Sequence, residues 1–511
     1  MAIAKYFTKN ALAIQQVLKK SSFEEIEKIL ENHIIEIAFD DICYTAEGNS
    51  SLDLAIKLIC RLYPKIKITP LSENAAKLAG SLVETARNIN SNIEVTDLES
   101  TVSLVIGNTP ITRKGTLVFY IGSDTWIAKL STNSPVGSQN SNLPFAAGFA
   151  ACLAAANIFR FVFRPFLKNV KFDEEIQFSL IHLCSDSNSH NNAMVTIEDL
   201  GYITVLGLGA IGNGITWALS QMKNTEGKIT IIDPEVLEQS NLQRYIESLE
   251  HDIDEPKINI VERSLSKTKF KVNPYKGTWQ DFLSITKQWK NDFVLCALDT
   301  ARDRIFLQTS LPNKIINGFT DEGMFGISRH LDFIKEPCIG CLYIPTEKKM
   351  SYSEEVAHNL GISKDERIVR EYLYFDKLIT LEFIQLIAVA NGIEISKLEQ
   401  FIGLPTSTFY SKFVCGGIML GLTKENEMQQ IKVETPLAFQ SAMAGILVVA
   451  ELIVNKYNLR ASSNKGISHF YPLNPIVKDV NPYHHSVVKN KAGNCICGDD
   501  YFTTAYKTKY F

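Results

Sequence analysis

YITVLGLGAIGNGITWALSQM, residues 202–222, joins a β-branched strand to a helix through a glycine-rich turn. A second strand-like run, KITIIDPE at residues 228–235, follows and ends in acidic residues. A strand, a tight turn, a helix and a further strand in this order are typical of a β-α-β unit in a parallel, doubly wound sheet. The sequence therefore predicts an α/β fold built around this unit.

The turn between strand and helix predicts a nucleotide site. Glycine lets the backbone approach phosphate oxygens, and a helix N-terminus offers N–H groups and partial positive charge. Asp233 lies at the end of the second strand, where an acidic side chain can accept hydrogen bonds from ribose. A site with these features could bind a nicotinamide, a flavin or an adenine nucleotide. The residues expected to line the nucleotide in this turn are Gly207, Gly209, Ala210, Ile211 and Gly212.

The next stretch, DPEVLEQSNLQR at residues 233–244, resembles the ATP-site signature of the ubiquitin-activating enzyme superfamily. That superfamily includes the bacterial adenylyltransferases of molybdopterin and thiazole biosynthesis. Its signature is an acidic strand end followed by Ser-Asn-Leu-x-Arg-Gln, and this chain departs from it at Tyr245, where the family usually has Gln. Dehydrogenases have no reason to place Asn and Arg here, whereas an enzyme that binds a triphosphate does.

The resemblance continues at matching spacing and implies a role for each residue. Lys257 occupies the position of the family's triphosphate-binding lysine, and Asp299 matches its Mg²⁺-associated aspartate. By this carry-over Asp233 binds the ribose, and Asp299 holds Mg²⁺. The residues that would bind the phosphates are Asn241, Arg244 and Lys257.

Two close cysteine pairs form a second constellation, Cys338-x-x-Cys341 and Cys495-x-Cys497. Tetrahedral zinc binds four thiolates, and two pairs from distant segments suit that geometry. Members of the superfamily often carry two C-x-x-C pairs here. The second pair of this chain is one residue shorter, so the loop that presents these two cysteines must differ from that of the family. We expect structural Zn²⁺ that holds the C-terminus on the domain. His484 and His485 are alternative ligands, although solvent-facing histidines are the simpler expectation.

Cys415, in KFVCGG at residues 412–417, is the candidate nucleophile. In the superfamily a crossover segment carries a reactive cysteine ahead of a helix like the alanine-rich run at 437–453. Adjacent glycines permit a mobile turn, which a thiol that travels to an acyl-adenylate requires. The resemblance implies adenylation of a ubiquitin-like protein's C-terminus, followed by thioester formation on Cys415. A buried cysteine before a glycine turn is the alternative.

The N-terminal third repeats the strand-helix-strand layout in degraded form. IIEIAFDD (34–41) and KIKITPL (65–71) are strand-like and flank a helical run, but the phosphate-loop glycines are missing. LPFAAGFAACLAAANIF (143–159) resembles the alanine-rich run at 437–453. We therefore expect two Rossmann-like adenylation-type domains in one chain, an inactive one and an active one. A similarity of α/β patterns without common ancestry is the alternative.

These observations predict domain limits. The inactive adenylation-like domain is expected at residues 1–165 and the active one at 166–511, which makes the chain a pseudodimer. Helical periodicity predicts an inserted helical segment at about 350–410. The crossover segment is expected at about 411–435 and the zinc-binding C-terminus at about 490–500. Further dimerisation stays open.

Composition limits the partners. The 511 residues are 45% hydrophobic and 21% charged, with a formal net charge of −4, which gives no basic face that would favour nucleic acid or an anionic membrane. The N-terminus lacks a signal-peptide pattern, and the apolar run near 436–454 is too short to span a bilayer, so we expect a cytoplasmic protein. Five single cysteines are expected to be reduced core residues: Cys43, Cys60, Cys152, Cys184 and Cys296.

The pairing of a degenerate first copy with an active second copy is most similar to the activating enzymes of bacterial ubiquitin-like conjugation operons, including antiphage systems. This resemblance implies a ubiquitin-like substrate and a separate conjugating-type enzyme as partners. An activator of a sulfur-carrier protein is the nearest alternative. A nicotinamide-dependent dehydrogenase is a more distant one, since it leaves Asn241, Arg244, Lys257 and Cys415 unexplained. A noncatalytic scaffold would be expected to have lost the phosphate-binding set in both halves.

Overall fold

The structure is a computed structural model. It describes residues 2–18, 21–113, 115–167, 170–185, 195–344, 351–410, 412–413, 435–460, 466–473, 481–489 and 493–511. The chain divides into two compact units. The larger comprises Met1–Phe7, Ile14–Ile344 and Pro436–Phe511, and the smaller comprises Thr8–Ala13 and Pro345–Thr435.

The larger unit contains two sheets, and the first, over the described residues, has the strand order β3-β2-β1-β4-β5-β6-β7. Its strands are β1 (Ile35–Phe39), β2 (Lys65–Pro70), β3 (Glu94–Val95), β4 (Val102–Ile106), β5 (Leu117–Asp124), β6 (Ile127–Ser131) and β7 (Glu175–Ser179). Helix α1 (Phe7–Leu18) contains residues assigned to both units. The other helices of this half are α2 (Phe23–Glu31), α3 (Ala46–Leu62), α4 (Ala76–Ile89) and α5 (Phe145–Val162). β1 to β5 pair in parallel, while β6 and β7 are antiparallel.

The second sheet has the order β10-β9-β8-β11-β12-β13-β14-β15 within the described residues. Its strands are β8 (Asp199–Leu206), β9 (Glu226–Ile232), β10 (Lys269–Tyr275), β11 (Phe293–Cys296), β12 (Lys314–Asp321), β13 (Met324–His330), β14 (Gly466–Phe470) and β15 (Tyr483–His485). The helices of this half are α6 (Ala210–Ser220), α7 (Lys257–Leu265), α8 (Trp279–Thr286), α9 (Ala301–Thr309), α10 (Gly340–Tyr343), α15 (Ala438–Lys456) and α16 (Asp500–Tyr510).

The two sheets follow one plan, as the repeated sequence pattern predicts. In each, the first strand lies between the second and the fourth, and antiparallel strands close one edge. The α/β architecture with two Rossmann-like sheets is thus confirmed. The first sheet, however, continues past residue 165, the limit expected from the sequence, because β7 pairs with β6 along Glu175–Ser179.

Close helix packing joins the two halves of the larger unit. A Cβ on Gly148 of α5 would lie 2.4 Å from the ring of Trp217 on α6, and one on Gly445 of α15 would lie 2.5 Å from the Ile211 carbonyl oxygen. Small residues are therefore required along these helices. α5 and α15 are long and apolar enough to cross a membrane by length and composition, but 94% of each such window is buried inside the protein.

A buried ion-pair network ties α15 to the second sheet. Glu451 of α15 lies 2.8 Å from Arg329 Nε of β13 and 3.0 Å from Arg460 Nη1. These three side chains are at most 5% exposed. Burial alone would raise the pKa of Glu451, but the two guanidinium groups lower it to about 2. The network is therefore charged at neutral pH, as a buried carboxylate between two arginines must be.

The smaller unit is helical. Its helices are α11 (Tyr352–Asn359), α12 (Glu366–Phe375), α13 (Leu381–Asn391) and α14 (Thr406–Tyr410). It has its own apolar core, which includes Val369, Phe383 and Phe409. The Tyr372 and Phe383 rings stack with centroids 4.2 Å apart.

Candidate nucleotide site and cysteine cluster

The strand order of the second sheet creates a crevice at the carboxyl ends of β8 and β11. The neighbours of β8 are β9 on one side and β11 on the other, so the chain leaves these strands in opposite directions. In open α/β sheets this topological switch point is where ligands bind. Gly207 follows β8 directly, and Leu298 and Asp299 follow β11. The glycine-rich turn and the predicted Mg²⁺-associated residue thus lie at one edge.

Glycine is required at the first position of the turn. Gly207 has φ +86°, and a Cβ there would lie 2.7 Å from the carbonyl oxygen of Ala297. A Cβ on Gly212 would lie 2.3 Å from the Gly207 carbonyl oxygen. Ala210 begins α6, so Gly209 and Ala210 lie at the helix N-terminus, and Ile211 is buried. The turn therefore presents backbone N–H groups at the switch point, as an anion site requires.

Asp233 is a structural acceptor of the turn. Its Oδ2 accepts from Leu208 N–H at 2.7 Å, and its Oδ1 accepts from Glu235 N–H at 2.8 Å. The residue is 5% exposed, and burial raises the pKa of its carboxyl despite the nearby Lys257. Both oxygens are thus already engaged by the backbone of the site.

Glu235 is an exposed acidic residue at this edge, and the sequence pattern did not single it out. Its side chain is 65% exposed, and its carboxylate forms an ion pair with Lys257 Nζ. Its position two residues after Asp233, at the end of the same strand, is the sequence feature that could have identified it as a site residue. It is the more accessible candidate for hydrogen bonds to a ribose.

Lys257 lies buried at the start of α7. Its ammonium group donates to the Tyr245 hydroxyl at 3.1 Å and lies 5.1 Å from the centroid of that ring. Burial lowers its pKa, but Tyr245, Asp233 and Glu235 together raise it above the ordinary value. The amine is therefore charged, and it is paired with groups that a triphosphate could replace.

Asn241 and Arg244 lie on the turn between β9 and α7. The Asn241 side-chain oxygen accepts from Glu238 N–H at 3.0 Å, which caps a short 3-10 turn. The Arg244 guanidinium lies 5.5 Å from the Tyr245 ring centroid and donates to the Ser240 carbonyl at 3.4 Å. Both side chains are partly exposed. Tyr245 thus lies between Arg244 and Lys257 and links two of the predicted phosphate-binding residues.

Asp299 is exposed at the end of β11. The loop that carries it is held by Arg304 of α9, whose guanidinium donates to the Leu298 carbonyl and lies 4.9 Å from the Tyr343 ring centroid. An exposed carboxylate at the switch point suits Mg²⁺, which prefers oxygen ligands and keeps several waters.

The corresponding edge of the first sheet is filled by the chain itself. Asp40 follows β1, and its Oδ2 accepts from the N–H groups of Asn108 and Thr109 at 2.7 and 2.8 Å. A Cβ on Gly107 would lie 2.3 Å from this carboxylate. A carboxylate in this position repels phosphate, which is the physical basis for expecting no nucleotide in the first half.

The four paired cysteines come together in one buried cluster. Their Sγ atoms all lie within 4.8 Å of one another, with neighbouring separations of 3.2 to 3.9 Å. Disulfide sulfurs lie about 2.05 Å apart, whereas four thiolates about 2.3 Å from a tetrahedral ion lie roughly 3.8 Å apart. The cluster could therefore hold Zn²⁺. Its members are Cys338, Cys341, Cys495 and Cys497, and among the described residues neither His484 nor His485 belongs to it.

The five single cysteines lie in the interior or close to it. Cys43, Cys60, Cys152 and Cys296 are buried, and Cys184 is half-buried. Burial raises the pKa of the four buried thiols above the ordinary value. None of these four offers a ready thiolate. The predicted nucleophile, Cys415, lies outside the described residues.

Family models match two regions of the chain. A model described as the ThiF family matches residues 187–474, more than half of the chain. A model described as Prokaryotic E2 family C matches residues 38–164, within the first half.

Individual proteins are also similar. "Uncharacterized protein y4jF" of Sinorhizobium fredii is 34% identical over 515 residues, which cover 100% of this chain and 98% of that protein. The structure of E. coli MccB with ATP is 13% identical in sequence and superposes with a TM-score of 0.35. The matched region covers 58% of this chain and 67% of the MccB chain. The structure of PaaA is 11% identical in sequence and superposes with a TM-score of 0.31. The matched region covers 56% of this chain and 73% of the PaaA chain.

Proposed function

The chain belongs to the ThiF family, and from this premise we propose that it uses ATP to adenylate the C-terminal carboxylate of a ubiquitin-like protein, which it then captures as a thioester on Cys415. The observation that carries the proposal is the grouping, at the switch point of the second sheet, of a glycine turn, a charged buried lysine and an exposed aspartate. These residues are Gly207, Lys257 and Asp299.

The arrangement suits a triphosphate better than a dinucleotide. The turn and the N-terminus of α6 would receive phosphate oxygens, while Lys257 would exchange Glu235 for the leaving pyrophosphate. Mg²⁺, which Asp299 would help to hold, supplies positive charge opposite the phosphates. Arg244 adds a second cation on the same turn, and Asn241 contributes a neutral amide. A nicotinamide cofactor transfers hydride and releases no pyrophosphate, so its site does not require cations that stabilise a leaving group.

The chemistry is a two-step acyl transfer. A carboxylate oxygen of the partner attacks the α-phosphorus of ATP, the bond to the β-phosphate breaks, and pyrophosphate leaves. The Cys415 thiolate then attacks the acyl carbon, the carbon–oxygen bond to the phosphate breaks, and AMP leaves. The first step converts an unreactive carboxylate into a mixed anhydride, and the second runs downhill because that anhydride reacts readily with a thiolate to give the less reactive thioester.

We also propose that the activated protein passes to a separate conjugating-type enzyme, as in bacterial ubiquitin-like conjugation operons of antiphage type. The match of residues 38–164 to the model described as Prokaryotic E2 family C supports this proposal, because it links the chain to the conjugating step that follows activation. That region contains Cys43, Cys60 and Cys152, and all three are buried with raised pKa values. The accepting thiol is therefore expected on another chain. In this proposal the protein works in the cytoplasm.

The test combines the purified protein with Mg²⁺, ATP and each small ubiquitin-like protein encoded beside its gene, and records intact masses without reductant. We expect a mass increase of one partner minus water that is reversed by thiol and absent from Cys415→Ala. Cys184→Ala is the matched control, because this half-buried thiol is also a single cysteine but has no proposed role.

Pyrophosphate release, measured in the same reactions, separates the outcomes. Release with no covalent product for any partner would remove Cys415 from the mechanism and favour adenylation of a sulfur-carrier protein. If ATP neither binds nor releases pyrophosphate with any partner, the adenylation proposal is wrong.

A further inference from the structure

A buried arginine of the first half holds the nucleotide turn of the second. Arg61 lies on α3, is 1% exposed, and reaches a residue 184 positions away. Its Nε and Nη2 donate to the Tyr245 carbonyl at 3.2 and 2.6 Å, and Nη2 also donates to the Ser248 carbonyl at 2.5 Å. A rigid guanidinium that bridges two main-chain carbonyls fixes the path of the intervening backbone.

The clamped backbone leads directly to the phosphate-binding residues. The Tyr245 hydroxyl accepts from Lys257 Nζ at 3.1 Å, and a Cβ on Gly209 would lie 3.3 Å from that hydroxyl. Arg244 precedes Tyr245 and lies over its ring. The residue that Arg61 holds therefore touches the lysine, the arginine and the glycine turn of the proposed ATP site.

A second ionic contact joins the same helix and the same turn. Lys57, one helical turn before Arg61, pairs with Glu247 at 2.7 Å and with Asp53 at 3.0 Å. Asp53 in turn accepts from Trp217 Nε1 at 2.8 Å, on the helix that follows the glycine turn. α3 therefore contacts both the turn that carries Tyr245 and the helix α6 that follows the glycine turn.

We propose that Arg61 is a positioning residue for ATP, and that the first half, which fills its own nucleotide edge with Asp40, serves to hold the second half's site in its binding geometry. Arg61 acts through the Tyr245 and Ser248 carbonyls and does not touch the nucleotide. This inference rests on the proposed function, because it specifies how that ATP site is held.

The experiment measures the Kd of Mg-ATP by calorimetry on the full chain, without a partner protein. For Arg61→Gln we expect at least tenfold weaker binding, because an amide cannot bridge both carbonyls in the same geometry. Arg61→Lys is expected to bind with intermediate affinity, since a single ammonium can satisfy only one carbonyl well. Lys57→Met, which preserves the helix and removes the ion pairs with Glu247 and Asp53, is expected to weaken binding about threefold.

Arg113→Gln separates positioning from general stability. Arg113 also lies in the first half and pairs with the buried Glu36 at 2.8 Å, so its loss should destabilise the fold without altering the nucleotide turn. We expect a lower melting temperature and an unchanged Kd. If Arg61→Gln is folded and binds Mg-ATP like the wild type, the inference is wrong; if it does not fold, Arg61→Lys and Lys57→Met decide. Wild-type protein that binds no ATP would refute the proposed function instead.

Discussion

Replacing Glu451 by Gln should expose how much the buried ion-pair network contributes to stability. The carboxylate lies between Arg329 and Arg460 and is 2% exposed. Its pKa of about 2 lies well below the ordinary 4.5. That difference corresponds to about 3 kcal/mol of stabilisation of the folded state, since each pKa unit represents about 1.4 kcal/mol. Gln keeps the shape of the side chain but leaves two buried guanidinium groups without a counter-charge.

The effect has a defined pH dependence. A carboxyl with a depressed folded-state pKa stabilises the fold above its unfolded pKa, and this contribution is lost as pH falls through the folded pKa. At pH 7 we expect Glu451→Gln to unfold with a free energy about 3 kcal/mol below that of the wild type. The difference should fall to about 1.5 kcal/mol at pH 3, between the two pKa values, and disappear below pH 2.

Denaturant unfolding followed by tryptophan fluorescence measures this difference, because Trp126 and Trp217 are buried in the larger unit. Glu366→Gln serves as the control, since its ion pair with Arg370 lies at the surface and its loss should have no measurable effect. A Glu451→Gln protein within 1 kcal/mol of the wild type at pH 7, or a difference that persists unchanged to pH 2, would refute the reasoning.

Three further perturbations test other parts of the molecule. Elemental analysis should find one zinc per chain, and Cys497→Ser should lower both the zinc content and the melting temperature; metal-free wild-type protein with an unchanged melting temperature would contradict this. Gly207→Ala should cost about 1–3 kcal/mol of stability and weaken Mg-ATP binding more than tenfold by calorimetry, because the new Cβ meets the Ala297 carbonyl; wild-type affinity would show that the turn does not receive phosphate. Asp40→Asn should lower the free energy of unfolding by about 1–3 kcal/mol, since its amide would face N–H donors, and should leave the Kd of Mg-ATP unchanged; a changed Kd would mean that the first half's edge also binds nucleotide.

Local chemistry determined the parts of this protein that the sequence predicted. The strand, glycine turn and helix at residues 202–222 are specified by residues adjacent in the chain, since β-branched runs, positive-φ glycine and helix periodicity act over a few positions. The same holds for the repeat, whose degraded copy folds into a sheet of the same strand order. The paired cysteines predicted a metal cluster because two short spacings suffice to define its halves.

Only the tertiary structure decided how distant residues share the site. Nothing in the sequence around Arg61 indicates that it crosses 184 positions to clamp the Tyr245 carbonyl, because that contact depends on how α3 packs against the second half. Likewise, burial rather than residue type makes Asp233 a support for the turn and leaves Glu235 accessible. A sequence lists the groups that can bind, but packing determines which of them are already satisfied by the backbone and which remain available to a ligand.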